Sequence, residues 1–305
     1  MRLSELIEGV RVEAVRGDAD VEIADLAYDS ARAGPGTLFF CVRGMRADGH
    51  EFAPDAVERG AAALVVEREL EPPVPQVVVR DARAAMAPLA VRFWDDPTAE
   101  LTVAGITGTN GKTTTAFLLR GILEAEGRQT GLLGTVKRIV GAREEDVVRT
   151  TPEAIDLQAT FRRMLDGGDE ACVMEVSSHA LALGRSAGIS FDVKAFTNLT
   201  QDHLDFHAHM EDYFLAKRHL FVSGQAERSV VNLDDPWGAK LVAEIDPITF
   251  SAAGDPGADY RAADVAIDAA GSRFRCLGPD AEVEVALPLP GAFNVENALC
   301  AVASV

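Results

Sequence analysis

Residues 101–115, LTVAGITGTNGKTTT, decide the fold. An apolar run with strand character breaks into GTNGKTT at 108–114, and an amphipathic helical pattern follows. Glycines at 108 and 111 let the backbone curl so that successive N–H groups can point at one anion. Lys112 adds a positive charge and Thr113 a hydroxyl suited to magnesium. The start of the next helix adds the positive end of its dipole. Strand, loop and helix in this order read as a nucleoside-triphosphate site made by Gly108, Thr109, Asn110, Gly111, Lys112, Thr113 and Thr114. The loop departs from the full G-x-x-x-x-G-K-[ST] pattern, because Ile106 stands where its first glycine would be.

Downstream of the loop, short apolar runs alternate with helical patterns. Strands are predicted at 101–106, 130–133, 171–176, 193–198 and 229–232, and helices at 113–126, 152–165 and 210–221. Such alternation predicts an α/β fold with a mostly parallel sheet covered on both faces, and nucleotide at the carboxyl ends of its strands. Residues 263–289 read as a small antiparallel addition, with extended stretches at 265–268 and 282–287. Upstream, residues up to about 94 predict a smaller α/β unit, with strands at 37–42, 62–67 and 76–79 and a helix near 53–59. Asp81 is a candidate N-cap for a further helix, in which Pro88 predicts either a kink or a later start. The opening MRLSELIEGV reads as a surface helix, and Trp94-Asp95-Asp96-Pro97 as a linker.

Composition narrows the function. A chain of 305 residues is long enough for two domains, each with its own core. The net charge of −19 argues against a broad nucleic-acid or membrane surface. An anionic substrate must then be held by local Lys, Arg, backbone N–H groups and metal ions. Cys41, Cys172, Cys276 and Cys300 form no C-x-x-C pair, which disfavours a zinc ribbon. No signal peptide and no apolar run of membrane-spanning length is evident, so a cytoplasmic protein is expected.

Three more segments leave strands where a ligand could sit. MEVSSHAL at 174–181 delivers Glu175, Ser177, Ser178 and His179; Glu175 reads as a magnesium ligand or as a helix cap. TNLTQDHLDFH at 197–207 gathers Asn198, Asp202, His203, Asp205 and His207, a zinc-like set or a nucleotide-metal set beside the phosphate loop. The helix with Tyr213, Phe214 and Lys217 reads by itself as carrying a solvated lysine. Burial would make that amine neutral and reactive.

GTNGKTT, the TTP at 150–152, MEVSSHAL, NLTQDHLD, the YFLAK helix and GAFNVENALCA at 291–301 resemble, in this order, the Mur ligases. In detail the chain is similar to the MurE type, which adds the third amino acid to UDP-N-acetylmuramoyl-L-alanyl-D-glutamate in peptidoglycan synthesis. YDSARAGPGTLFFCVRGMRADGHEF at 28–52 is similar to that family's uridine-nucleotide domain. The resemblance implies a UDP-sugar-binding domain at 1–95 and a central ATP-binding domain at 96–305, without the family's third, amino-acid-binding domain.

It also implies roles. Lys112 and the 108–114 backbone would hold the ATP phosphates, with Thr113 on magnesium. Glu175 and His203 would hold a second magnesium ion, and Lys217 would be carbamylated by carbon dioxide to N6-carboxylysine. Asn294 and Asn297 would lie near adenine and ribose. Tyr28, Ser30, Met45, Arg46, Ala47, Arg149, Thr150, Thr151, Ser177 and Arg185 would contact the UDP-muramoyl-dipeptide. Ala31 stands where the family has arginine, and the arginine comes one position later, at Arg32.

The implied reaction is ATP-driven amide formation through an acyl phosphate, with meso-diaminopimelate or lysine added, by a monomer in cell-wall biogenesis, cell shape and division. The chain by itself is expected to bind nucleotide better than it catalyses. Alternatives are a ligase of the MurF or folylpolyglutamate synthase type, or a catalytically silent nucleotide-binding module.

Overall fold

The computed structural model describes residues 1–44, 47–71, 73–147, 149–224 and 226–305. Two compact units emerge. The first comprises Met1–Pro97 with Glu153–Ala159 and Ser186–Gly188; the second comprises Thr98–Pro152, Thr160–Arg185 and Ile189–Val305. Among the described residues no helix is long and apolar enough to cross a membrane.

The first unit contains α1 (Leu3–Leu6), β1 (Ala14–Arg16), β2 (Asp25–Ala27), β3 (Thr37–Phe40), α2 (Ala53–Glu58), β4 (Ala61–Val66), β5 (Gln76–Val78) and α3 (Ala82–Phe93). Its sheet runs β1-β5-β4-β3-β2, parallel except where β1 meets β5. Both faces are covered, so TLFF and AAALVV are nearly continuous apolar runs rather than alternating ones. Leu38, Phe40, Ala63 and Val65 pack with Leu3, Leu6, Met86 and Leu89. Phe39, Leu64 and Val66 pack with Ala53 and Ala56 on the other side.

The opening helix is amphipathic, with Ser4 and Glu5 exposed and Leu3 and Leu6 wholly buried. Pro88 does not delay α3, which starts at Ala82 with the Asp81 carboxylate accepting from Ala84 N–H at 2.9 Å. Pro88 lies on the exposed side, and burial of Met86, Leu89 and Ala90 offsets its lost backbone bond. The short strands β1 and β2 carry too few residues to show a period and escaped prediction.

The second unit contains β6 (Thr102–Thr107), α4 (Lys112–Ala125), β7 (Thr130–Leu133), β8 (Arg138–Val140), β9 (Arg143–Glu145), α5 (Ala154–Asp166, its first part counted with the other unit), β10 (Ala171–Glu175), α6 (Ser178–Ala182) and β11 (Val193–Phe196). It continues with α7 (Met210–Val222), β12 (Arg228–Asn232), α8 (Pro236–Val242), β13 (Ile248–Ser251), β14 (Tyr260–Asp268), β15 (Gly271–Leu277), β16 (Glu282–Leu287) and α9 (Ala292–Ala303). Strand order is β16-β15-β14-β13-β12-β11-β6-β10-β7-β8-β9. From β7 to β14 every pair is parallel.

The antiparallel part is no separate sheet. β15 and β16 extend the edge beyond β14, and a β8–β9 hairpin extends the other edge. Ala104, Ile106, Val173, Ala195 and Val230 share a core with α4 and α9. Val103, Cys172, Met174 and Phe196, on the opposite face, are fully buried too. The strand β6 that ends at the phosphate loop therefore lies between β10 and β11, and their carboxyl ends open at one place.

Candidate active site

The 108–111 loop is shaped by two close approaches. Gly108 has φ +153°, and a Cβ there would stand 1.9 Å from Thr197 Oγ1. Gly111 has φ +87°, and its Cβ would stand 2.2 Å from Asn297 Oδ1. The exit of β11 straps the loop down: Thr109 N donates to Asn198 O at 2.8 Å and Asn110 N to Asn198 Oδ1 at 2.9 Å. Thr197 Oγ1 donates to Asn110 O at 2.7 Å. The amides of Thr109 and Asn110 are thus turned to Asn198, and the first-turn amides of α4, which helix geometry leaves without intrahelical acceptors, face the anion position.

Two lysines meet under this loop. Lys112 Nζ donates to Gly108 O at 2.9 Å and Thr109 O at 2.8 Å. Lys217 Nζ, from α7, donates to the same Gly108 O at 2.8 Å. The side chain is only 1% exposed, so the solvated lysine that its local sequence suggests does not exist. Burial, then the neighbouring Lys112 charge, hold Lys217 well below the ordinary lysine range. Burial lowers Lys112 as well, against the raising effect of Glu175 and Asp202. Lys217 Nζ sits 4.7 Å from the Tyr213 ring centroid, and the Tyr213 hydroxyl lies 3.2 Å from Thr109 Oγ1.

Glu175 ends β10 at 1% exposure and caps no helix. Its carboxylate accepts from Thr113 Oγ1 at 2.9 Å, Thr135 N at 2.8 Å and Thr135 Oγ1 at 3.0 Å. The capping role belongs to Ser177, which accepts from Ala180 N at 3.2 Å. The hydroxyl of Thr113 beside this carboxylate is an all-oxygen donor set of the kind magnesium takes. Thr151 Oγ1 donates to Glu175 O at 2.9 Å, and Ser177 N donates to Thr151 Oγ1 at 3.2 Å. Arg185 Nη1 donates to Thr151 O at 3.4 Å, and Thr150 Oγ1 lies 3.1 Å from Thr135 Oγ1. Thr151 directly, and Thr150, Ser177 and Arg185 through one intervening residue, are thus linked to Glu175.

The 202–207 segment forms a ring cluster. His203, at φ +52°, meets His179 at 4.8 Å and Tyr213 at 6.0 Å between centroids. His207 lies 5.0 Å from Tyr213, its Nε2 buried without a hydrogen-bond partner among the described residues. Burial first, then a neighbouring histidine, lower the pKa of both His179 and His207. Among the described residues no three His, Cys, Asp or Glu side chains are arranged to hold a metal, so the zinc-like set is not formed.

On α9, Asn297 accepts from Thr115 Oγ1 at 3.3 Å and donates to Asn294 Oδ1 at 3.3 Å. A cavity of about 560 Å³ opens between this helix and the loop, lined by residues including Gly111, Thr114, Phe293, Glu296 and Asn297.

In the first unit, the Tyr28 hydroxyl donates to Asp156 Oδ2 at 2.5 Å, and Arg32 pairs with Asp156 Oδ1 at 2.7 Å. Arg32 is thus committed to a carboxylate of its own unit, and that hydrogen bond raises its pKa. Ser30 hydrogen-bonds Asp55, and Ala47 O accepts from Gly44 N at 2.9 Å. Met45 and Arg46 lie outside the described residues. Arg149 is described and exposed. Thr135 was not singled out from sequence; its position two residues past β7, the strand beside β10, was the available sign.

The profile of the Mur ligase middle domain matches residues 106–305, and that of the Mur ligase family catalytic domain matches 22–94. The chain belongs to the Mur ligase family. Among curated Mur ligases, a UDP-N-acetylmuramoyl-L-alanyl-D-glutamate–2,6-diaminopimelate ligase of Clostridium perfringens is 39% identical over 98% of this chain and 63% of its own. The ligase of the same name from Bacillus velezensis is 41% identical over 100% of this chain and 64% of its own. The chain thus spans under two thirds of the length of these relatives. A solved 2,6-diaminopimelate ligase superposes with a TM-score of 0.84 at 26% identity, covering 99% of this chain and 62% of that one. MurF from Acinetobacter baumannii, at TM-score 0.74, 23% identity and 99% and 64% coverage, shares the fold.

Proposed function

We propose that this Mur ligase chain serves an ATP-dependent ligase that joins 2,6-diaminopimelate to UDP-N-acetylmuramoyl-L-alanyl-D-glutamate. The observation that carries the reading is the meeting of Lys112, Lys217 and Glu175 around one phosphate loop at the carboxyl ends of β6 and β10. The names of the curated relatives support the substrate and amino acid. Residues 1–95 are assigned to the UDP-sugar and residues 96–305 to ATP, in a cytoplasmic monomer that acts in cell-wall synthesis.

The γ-carboxylate of the D-glutamyl residue attacks the γ-phosphate of ATP, giving an acyl phosphate and ADP. The amine then attacks the acyl carbon, and phosphate leaves. An anion approaching a triphosphate needs positive charge and fixed donors. Lys112 and the first turn of α4 grip the phosphates, and Asn294 and Asn297 border the base. Thr113, Glu175 and His203 are the candidate holders of two magnesium ions, which supply further charge neutralisation when bound. A neutral Lys217 amine can add carbon dioxide and release one proton, placing a carbamate anion beside Lys112 where a cation would otherwise stand. Tyr28, Ser30, Met45 to Ala47, Arg149, Thr150, Thr151, Ser177 and Arg185 contact the UDP-muramoyl-dipeptide.

Calorimetry on the chain, and ADP release by the chain continued to the length of its relatives, test this. Binding of magnesium ADP and UDP-N-acetylmuramoyl-L-alanyl-D-glutamate, with release that requires diaminopimelate, is expected. Absence of nucleotide binding overturns the reading; release that requires lysine instead corrects the amino acid.

A further inference from the structure

Among the described residues, two of the three donors that reach the Glu175 carboxylate come from Thr135, through its backbone N–H at 2.8 Å and its hydroxyl at 3.0 Å. The close turn that brings them there depends on Gly134, whose Cβ would stand 2.6 Å from Glu175 Oε1. An ionised carboxylate offers only acceptors, so the Thr135 hydroxyl must donate to it. A hydroxyl has one proton to give. The contact of 3.1 Å between Thr135 Oγ1 and Thr150 Oγ1 is therefore donated by Thr150. Thr150, its proton spent, has only lone pairs left for a ligand. Thr151 is polarised in the same sense, donating to Glu175 O at 2.9 Å and accepting from Ser177 N at 3.2 Å. The two hydroxyls that run from Thr150 through Thr135 to the buried Glu175 carboxylate strengthen one another, while Thr151 donates to the backbone carbonyl of Glu175.

We propose that Thr135 is a positioning residue: it aims the Glu175 carboxylate for magnesium and fixes Thr150 as an acceptor, so that Thr150 reads an N–H or O–H donor of the dipeptide substrate. The inference rests on the ligase reading above. A carboxylate oxygen of the substrate would meet lone pairs at Thr150 and be rejected there, which orients the substrate as well as binding it.

Thr135→Val keeps the side-chain shape and removes the hydroxyl; Thr135→Ser restores it. The probes are the β,γ-methylene analogue of ATP with magnesium, and UDP-N-acetylmuramoyl-L-alanyl-D-glutamate without metal or nucleotide. In Thr135→Val the magnesium needed for half-maximal analogue binding should rise about tenfold, the worth of one charge-assisted hydrogen bond. Affinity for the dipeptide should fall by a similar factor because Thr150 is no longer held as an acceptor, and Thr135→Ser should recover both. Should Thr135→Val not melt as the wild type does, Thr135→Ala carries the same expectation. Wild-type values for either probe in the hydroxyl-less variant, or no recovery in Thr135→Ser, overturn the proposal. A wild-type chain that binds neither probe overturns the ligase reading instead.

Discussion

Lys112 Nζ and Lys217 Nζ donate to one and the same acceptor, the carbonyl oxygen of Gly108, at 2.9 and 2.8 Å. Two ammonium groups cannot share a lone carbonyl in a buried site without strong repulsion, so one of them must be neutral or an anion must come between them. Lys217 is the deeper of the two and the one whose burial most disfavours charge. The arrangement costs stability and supplies chemistry.

That cost can be measured with Lys217→Met in CO2-free buffer. Methionine fills similar space without a charge, and Gly108 O keeps Lys112 as its donor. The folded-state pKa of Lys217 is lowered, so over the window from that pKa up to about 10.4 the unfolded chain binds more protons and stability rises with pH. The penalty is full below the folded pKa and fades across that window. Thermal melting should therefore show Lys217→Met more stable, by about 2–4 °C per kcal/mol recovered, with the gap closing as pH approaches 10. An equal gap at all pH values would mean that packing, not charge, separates the two proteins.

A neutral amine beside Lys112 is also what carbamylation requires. Protein equilibrated with 13C-bicarbonate should give a carbamate carbon resonance that Lys217→Ala lacks, and the signal should weaken as pH falls and the amine is protonated. In the chain continued to the length of its relatives, Lys217→Ala should lose ATP turnover, and acetate should restore part of it. A resonance that survives in Lys217→Ala assigns the carbamate elsewhere.

The four thiols make a contrasting case. Cys41, Cys172, Cys276 and Cys300 are free and buried, and burial pushes Cys41 and Cys300 up to about 12. Thiolate, the reactive form, is then scarce at neutral pH. Ellman's reagent should find essentially no thiol in the folded chain and all four after unfolding in guanidinium. Rapid reaction of one cysteine in the native protein would locate a local opening.

What could be read in the sequence follows the range of the interactions concerned. The phosphate loop and the long periodic helices were legible because their spacing is local: Lys112–Ala125 and Met210–Val222 start within one residue of the predicted bounds. The parallel order was legible from alternation alone. Lys217 was not, since a lysine on a helix with Tyr213 and Phe214 looks the same solvated or buried until β6 and its loop are packed above it. Only the resemblance to the Mur ligases raised it from an ordinary helix residue to a candidate. Thr135 escaped for a related reason, because what gives it meaning is β7 lying next to β10, which brings it to Glu175, 40 residues away in sequence. Strands β8, β9 and β15, at or next to the ends of the sheet, were missed because one polar or exposed side blurs a short pattern.

Gly111 links the loop to α9 and offers the sharpest test of how the site is held. Its φ of +87° disfavours any Cβ, and the Cβ of Gly111→Ala would stand 2.2 Å from Asn297 Oδ1. Relief requires Asn297 to swing away, breaking its contacts with Thr115 at 3.3 Å and Asn294 at 3.3 Å. Strain of this kind is worth about 1–3 kcal/mol, so Gly111→Ala should melt several degrees lower. It should also lose nucleotide affinity beyond what lower stability explains, because the first turn of α4 and the cavity beside Asn297 are displaced together. Asn297→Ala opens the space that the new Cβ needs. The double variant Gly111→Ala/Asn297→Ala should then recover part of the melting temperature but none of the nucleotide affinity, with coupling between the two sites of about 0.5–3 kcal/mol in a double-mutant cycle. Additive losses in melting would show that the strain lies in the backbone of the loop and not in its contact with α9.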